Sequence, residues 1–137
     1  MIDPAIPLQD SIIAAVKAST ILQGLIGSPC RIYDRVPTKP VTFPYVSLGD
    51  ISCTGGGERC DTGTDVDVSL DVWSRAVGRI EAATIGAALA TLLDAELAVT
   101  GFRVSVHQAV SSRTDRQPDG LTNRCLVRLN YWLIATA

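Results

Sequence analysis

The run DVDVSLDVW, Asp65 to Trp73, alternates apolar and polar residues without a break. Successive side chains of an extended strand point to opposite faces, so Val66, Val68, Leu70 and Val72 share one face while Asp67, Ser69 and Asp71 share the other. This is the clearest strand in the chain. It obliges the protein to build a sheet with one covered face and one that meets water or a partner.

The rest of the chain supplies what can cover that sheet. From Leu8 to about Gly24, the residues Leu8, Ile12, Ala15, Val16, Ser19 and Leu22 recur at three- and four-residue steps, which places them on one stripe of a single helix. Asp10 or Asp3 is a candidate cap for its start, and Gly24 or Gly27 for its end. Ser28 to Pro44 carries four prolines, each lacking a backbone N–H, so this segment is loop with at most a short strand around Arg31 to Tyr33. YVSLGDIS reads as a strand. Gly78 to Leu97 is the clearest helix, with Ile85, Ala88, Leu89, Leu92 and Leu93 on one face, and Gly86 and many alanines allowing close approach to a sheet.

GFRVSVHQAV predicts a further strand, with Phe102, Val104 and Val106 set against Arg103, Ser105 and His107. Ser111 to Asn123 reads as a loop turning at Pro118-Asp119-Gly120. In the closing run RCLVRLNYWLIAT, Val127, Leu129, Tyr131 and Leu133 face one side, and Leu126, Trp132 and Ile134 put apolar groups on the other. A strand apolar on both faces is central or lies at an interface. The fold class expected is α+β: one domain over residues 1–137, a mostly antiparallel sheet of about four strands, two helices packed on one face, and a long glycine-rich hairpin loop. Trp132 and Ile134 would then lie on the second face or at an exposed end, where apolar strand surface favours association.

The glycine-rich stretch ISCTGGGERCDTGTD, Ile51 to Asp65, raises the question of a ligand. A P-loop needs Lys followed by Ser or Thr after its last glycine and a helix beyond, whereas Glu58-Arg59 follow here and a strand comes next. A dinucleotide fingerprint fails on spacing, because Gly55, Gly56 and Gly57 are consecutive. Cys53 and Cys60 lie too far apart for a paired zinc-ligand motif, and Cys30, Cys125 and the sole histidine, His107, stand singly. The four cysteines read as small half-buried hydrophobes, although the hairpin position of Cys53 and Cys60 also permits a cross-strand disulfide.

Catalysis finds little support. Ser105 and His107 share a strand face by spacing, but no Gly-x-Ser-x-Gly elbow surrounds Ser105. Asp65, Asp67 and Asp71 suggest a metal cluster only superficially, because alternate side chains on a strand stand about 6 to 7 Å apart. No cofactor, no metal and no enzymatic activity are expected. A net charge of −2 argues against a protein built mainly to grip nucleic acid. The N-terminus lacks the basic start and apolar core of a signal peptide, and no run is long enough to span a bilayer, so a soluble protein made in the cytoplasm is expected.

Several segments together resemble the tail-completion, or tail terminator, proteins of long-tailed bacteriophages, prophages and gene transfer agents. RIYDRVP (Arg31 to Pro37), PYVSLGD (Pro44 to Asp50) and LDVWSRAVGRIEA (Leu70 to Ala82) carry the likeness, which extends over nearly the whole chain. The last strand and the preceding loop match only in general character. The resemblance implies a structural virion protein, a ring of six subunits at the head-proximal end of the tail tube. Such a ring ends tube polymerisation and joins the tail to the head connector, with DNA passing through it without specific binding and no membrane involved.

On that implication, Gly55, Gly56, Gly57, Glu58 and Arg59 form a mobile hairpin tip, within Ser52 to Thr64, that orders against a neighbouring ring. Trp132 and Ile134 contribute to the subunit interface, and Asp65, Asp67 and Asp71 line the channel, where negative charge keeps DNA phosphates from sticking. Arg113, Asp115 and Arg116 form a polar docking loop toward the tube or the connector. Two other readings compete: a connector stopper or other tail component, and a small ligand-binding domain or enzyme using Ser105 and His107.

Overall fold

A computed structural model describes residues 3–35, 37–55 and 63–136. Three helices and five strands follow one another among them: α1 (Ala5–Ala18), α2 (Thr20–Ile26), β1 (Ile32–Tyr33), β2 (Tyr45–Gly55), β3 (Gly63–Ser74), α3 (Ile80–Leu93), β4 (Phe102–Arg116) and β5 (Asn123–Ala135). The strands form one sheet in the order β1-β2-β3-β5-β4, parallel between β1 and β2 and antiparallel elsewhere. The α+β class and the mostly antiparallel sheet are as expected, with one strand and one helix more than the sequence suggested.

The alternation in β3 directs Val66, Val68, Leu70 and Val72 into the core, where their partners on β5 are Tyr131, Leu129, Val127 and Cys125. β5 lies between β3 and β4, which accounts for its apolar residues on both faces. The helices cover this side of the sheet. Ile85, Leu89 and Leu93 of α3 and Leu8, Ile12 and Val16 of α1 are fully buried in the same cluster, each contributing roughly 1.5 to 3 kcal/mol of transfer free energy. Gly86 sets the approach of α3: a Cβ there would stand 2.4 Å from the Cys125 sulfur, so only hydrogen fits. The Tyr131 hydroxyl donates to the Leu93 carbonyl, and burial, reinforced by the charge of Asp94, pushes its phenol up.

Besides α3, which runs from Ile80 to Leu93 with Asp94 as its C-cap instead of from Gly78 to Leu97, two boundaries differ from the sequence reading for physical reasons. The single N-terminal helix is two, meeting at 83°, because Ser19 leaves helical geometry and its hydroxyl accepts the Leu22 N–H as the cap of α2. Ser19 is therefore a capping residue rather than part of the apolar stripe. Asp3 accepts the Ala5 N–H, Asp10 lies inside α1, and Gly27, at φ +92°, ends α2. The second difference is β4, which continues through Ser111 to Arg116, leaving only residues 117–122 as turn. Asp119 organises that turn by accepting from the backbone of Leu121 and Thr122 and from the Thr122 hydroxyl, bonds that hold its carboxyl below the usual range. Among the described residues no single helix is long and apolar enough to cross a membrane.

Candidate assembly surfaces

The face of the sheet opposite the helices is polar, and the carboxylates of β3 on it are engaged by side chains of β5. Asp71 receives Arg124 at 2.6 Å, and the same guanidinium stands 5.5 Å over the Trp73 ring. Asn130 donates to both Asp65 and Asp67, at 2.8 and 2.9 Å, through one amide nitrogen. These contacts follow from register, since Asp65, Asp67 and Asp71 pair across β5 with Trp132, Asn130 and Leu126. The three carboxylates share a face, as expected, but they alternate with arginine and asparagine instead of forming an acidic stripe. Among the described residues no group of His, Cys, Asp and Glu is arranged to hold a metal.

Trp132 and Ile134 lie at the hairpin end of this face, both half-buried. A Cβ at Gly63 would fall 2.1 Å from the Trp132 ring, so the glycine lets the indole lie against the start of β3. The chain thus covers part of its own apolar surface there.

β4 is an edge strand, exposed over most of its length, with Val106 and Val110 about half exposed. Its pairing with β5 shifts twice, once between Val104 and Val106 and again between Ala109 and Ser111. Each shift is a bulge, a device that bends and twists an edge and discourages indefinite strand addition. The first bulge overturns two sequence expectations. Val106 turns to the helix-free face opposite Trp132, and Ser105 lines a hollow beside it with Asp65 and Asn130. His107 turns to the other face, where its Nδ1 lies 2.7 Å from Asp94 at the end of α3. Ser105 and His107 do not share a face, and no nucleophile–base pair forms.

Gly55 closes β2, paired with Thr64, while Gly56, Gly57, Glu58, Arg59 and Cys60 lie outside the described residues. Strand pairing therefore takes in Ser52 to Gly55 and Gly63 to Thr64, which the sequence reading assigned to the loop. Cys53 is a free thiol that donates to Asp3; burial first, then this contact and the carboxylate charge, push it up to about 11. Cys30 and Cys125 are buried and free, as small apolar residues. Arg113, Asp115 and Arg116 stand on β4 rather than on a loop, with Arg113 Nε 3.7 Å from Asp115.

The sequence reading missed two surfaces. At one end of the sheet Val77, Ile80 and Leu121 are exposed, Val77 completely. Near the other end an open groove of about 710 Å³ runs between α1 and residues 97–100, lined by Ile6, Pro7, Asp10, Ala14 and Leu97. The signal for the first was an apolar residue beside glycine in SRAVGRI, outside any periodic run. The second needs the spatial meeting of segments more than eighty residues apart, which periodicity does not report.

The family described as tail completion protein gp17 matches residues 10–134. A chain in the virion of a native gene transfer agent particle has the same fold, with a TM-score of 0.87 and 23% identity over 98% of this chain and 100% of that one. The gp17 protein of bacteriophage SPP1 is more distant, at a TM-score of 0.59 and 20% identity over 90% of this chain and 86% of that one. No curated protein matches the chain. With the family match spanning nearly all of the sheet and helices described above, the chain belongs to the tail completion protein gp17 family, structural components of the virion tail.

Proposed function

We propose that the protein closes into a ring, six-membered as the family resemblance implies, which caps the head-proximal end of the tail tube, ends its polymerisation and joins it to the head connector. Membership of the tail completion family carries this reading. The monomer's surface agrees with it: a long edge strand with half-exposed valines, and an exposed apolar patch and groove near opposite ends of the sheet, are surfaces that association would cover.

In the ring, the helix-free face turns to the channel. Asp65 and Asp67 supply its negative charge, since Asp71 is neutralised by Arg124. Negative charge on a polar surface repels DNA phosphates and lets DNA pass without a lasting grip. Gly55 at the end of β2 is a candidate for contact with the neighbouring ring, and Arg113 and Arg116 on β4 are candidates for contact with the tube or connector.

Light scattering of the purified protein, alone and with tail tube protein, tests the reading. The expected result is a mass near six chains, or a monomer that assembles only on the tube and stops its growth. A monomer that neither assembles nor arrests tube growth rejects it.

A further inference from the structure

The patch and the groove are complementary, and both belong to this chain. The patch is built on locked backbone. The Ser74 hydroxyl accepts the Ala76 N–H, Arg75 donates to the Thr122 hydroxyl at 3.2 Å, and Asn123 donates to the carbonyls of Gly78 and Ala76 at 2.7 and 3.3 Å. The loop after β3 and the turn before β5 are thereby tied to each other with Val77, Ile80 and Leu121 outward. Apolar groups held in place lose little freedom when they dock, which favours binding.

The cations beside the patch are unpaired. Arg79 and Arg116 are exposed and make no ion pair among the described residues, whereas the carboxylates Glu81 and Asp119, still charged, are held by hydrogen bonds from Ser74 and within the 119–122 turn. The groove has the opposite character. Its apolar walls, Ile6, Ala14 and Leu97, are joined by a bond from the Ser11 hydroxyl to the Ala98 carbonyl. Its rim carries Asp10 and, beside Leu97, Glu96, both exposed and without an ion pair among the described residues; the exposed Arg103 shares the hollow beside Leu97 with Glu96, so Asp10 is the carboxylate free of a neighbouring cation.

The two surfaces cannot meet within one molecule. Leu121 precedes the first residues of β5, whereas residues 97–100 precede Phe102, which pairs with Ala135 at the far end of β5. Thirteen residues of strand separate them, roughly 40 Å at about 3.3 Å per residue. A contact between different patches on two copies of one chain is heterologous, and it is finite only when it closes on itself.

We infer that the Val77, Ile80 and Leu121 patch of one copy seats in the α1 groove of the next copy, with Arg79 facing Asp10, and that repetition of this contact closes the ring. The inference rests on the ring reading above and names the surfaces that make it.

Two variants at exposed positions test it: Val77→Asp, which disables the patch, and Ala14→Arg, which fills the groove and repels the arginines. Each should keep the wild-type circular dichroism and weaken self-association by about tenfold or more, in light scattering with and without tail tube protein. Mixed together, the two should form a one-to-one dimer and nothing larger, because one retains an intact groove and the other an intact patch. Either variant assembling like wild type, or a mixture that fails to pair, overturns the proposed contact while leaving the ring reading in place. If Val77→Asp rings form normally but no longer attach to tube or connector protein, the patch docks a different partner and the contact is likewise overturned. A wild-type chain that stays monomeric even on tube protein removes the ring reading and this contact with it.

Discussion

At the scale of single residues, surroundings rather than residue type decide behaviour, and Cys53 shows it. An ordinary thiol beside a glycine-rich hairpin invites a reactive or metal-binding reading, yet this one is partly buried against Asp3 and raised to about 11. Relative to the ordinary thiol value of 9.0, this lowers the thiolate fraction near pH 8 by about a hundredfold. Alkylation followed by mass spectrometry should therefore find Cys53 slow, and Asp3→Ala should speed it by removing both the bond and the charge. The sign for stability follows. A folded-state pKa above the unfolded one stabilises fully below the unfolded value, so this contribution is lost as the pH rises from about 9 to about 11. Gly86 makes the same point for packing, because its value lies in the atom it lacks, opposite the Cys125 sulfur.

At the scale of elements, period-two and helical patterns were readable wherever one face is buried. β3, the buried face of β5 and the face of α3 were legible because burial imposes a repeat that residue types record. What escaped was set by single atoms or by pairing. The break between α1 and α2 depends on one hydroxyl, at a position where serine also suits a helix stripe. Replacing Ser19 by alanine should cost about 1 kcal/mol in denaturant unfolding, the usual value of a cap, whereas a continuous helix would gain from the same change. The second half of β4 reads as loop in the sequence because both its faces are mostly wet, which removes the alternation. Its bulges exist only relative to β5. The Ser105 and His107 pair was consequently misread, while the absence of a nucleophile elbow was plain from the chain itself.

At the scale of the whole molecule, one face of the sheet is sealed by helices and the other is left polar, with apolar surfaces near the two ends. If the helix-free faces line the channel, replacing both Asp65 and Asp67 by lysine should convert an indifferent surface into a DNA-binding one. The assembled variant should then retain duplex DNA at low salt, and its affinity should fall with added salt, with a logarithmic slope steeper than wild type by about two. Unchanged DNA retention would place those side chains away from the path. The two irregularities of β4 have a bearing on that face as well. Even-numbered residues point to the helices at Val104, odd-numbered ones at His107 and Ala109, and even-numbered ones again at Ser112 and Thr114. The strand changes parity twice, so the second change cancels the first and both ends of β4 obey one rule. Loss of one residue from either bulge would leave a single uncancelled change, and every side chain beyond it would be delivered to the wrong side of the wall.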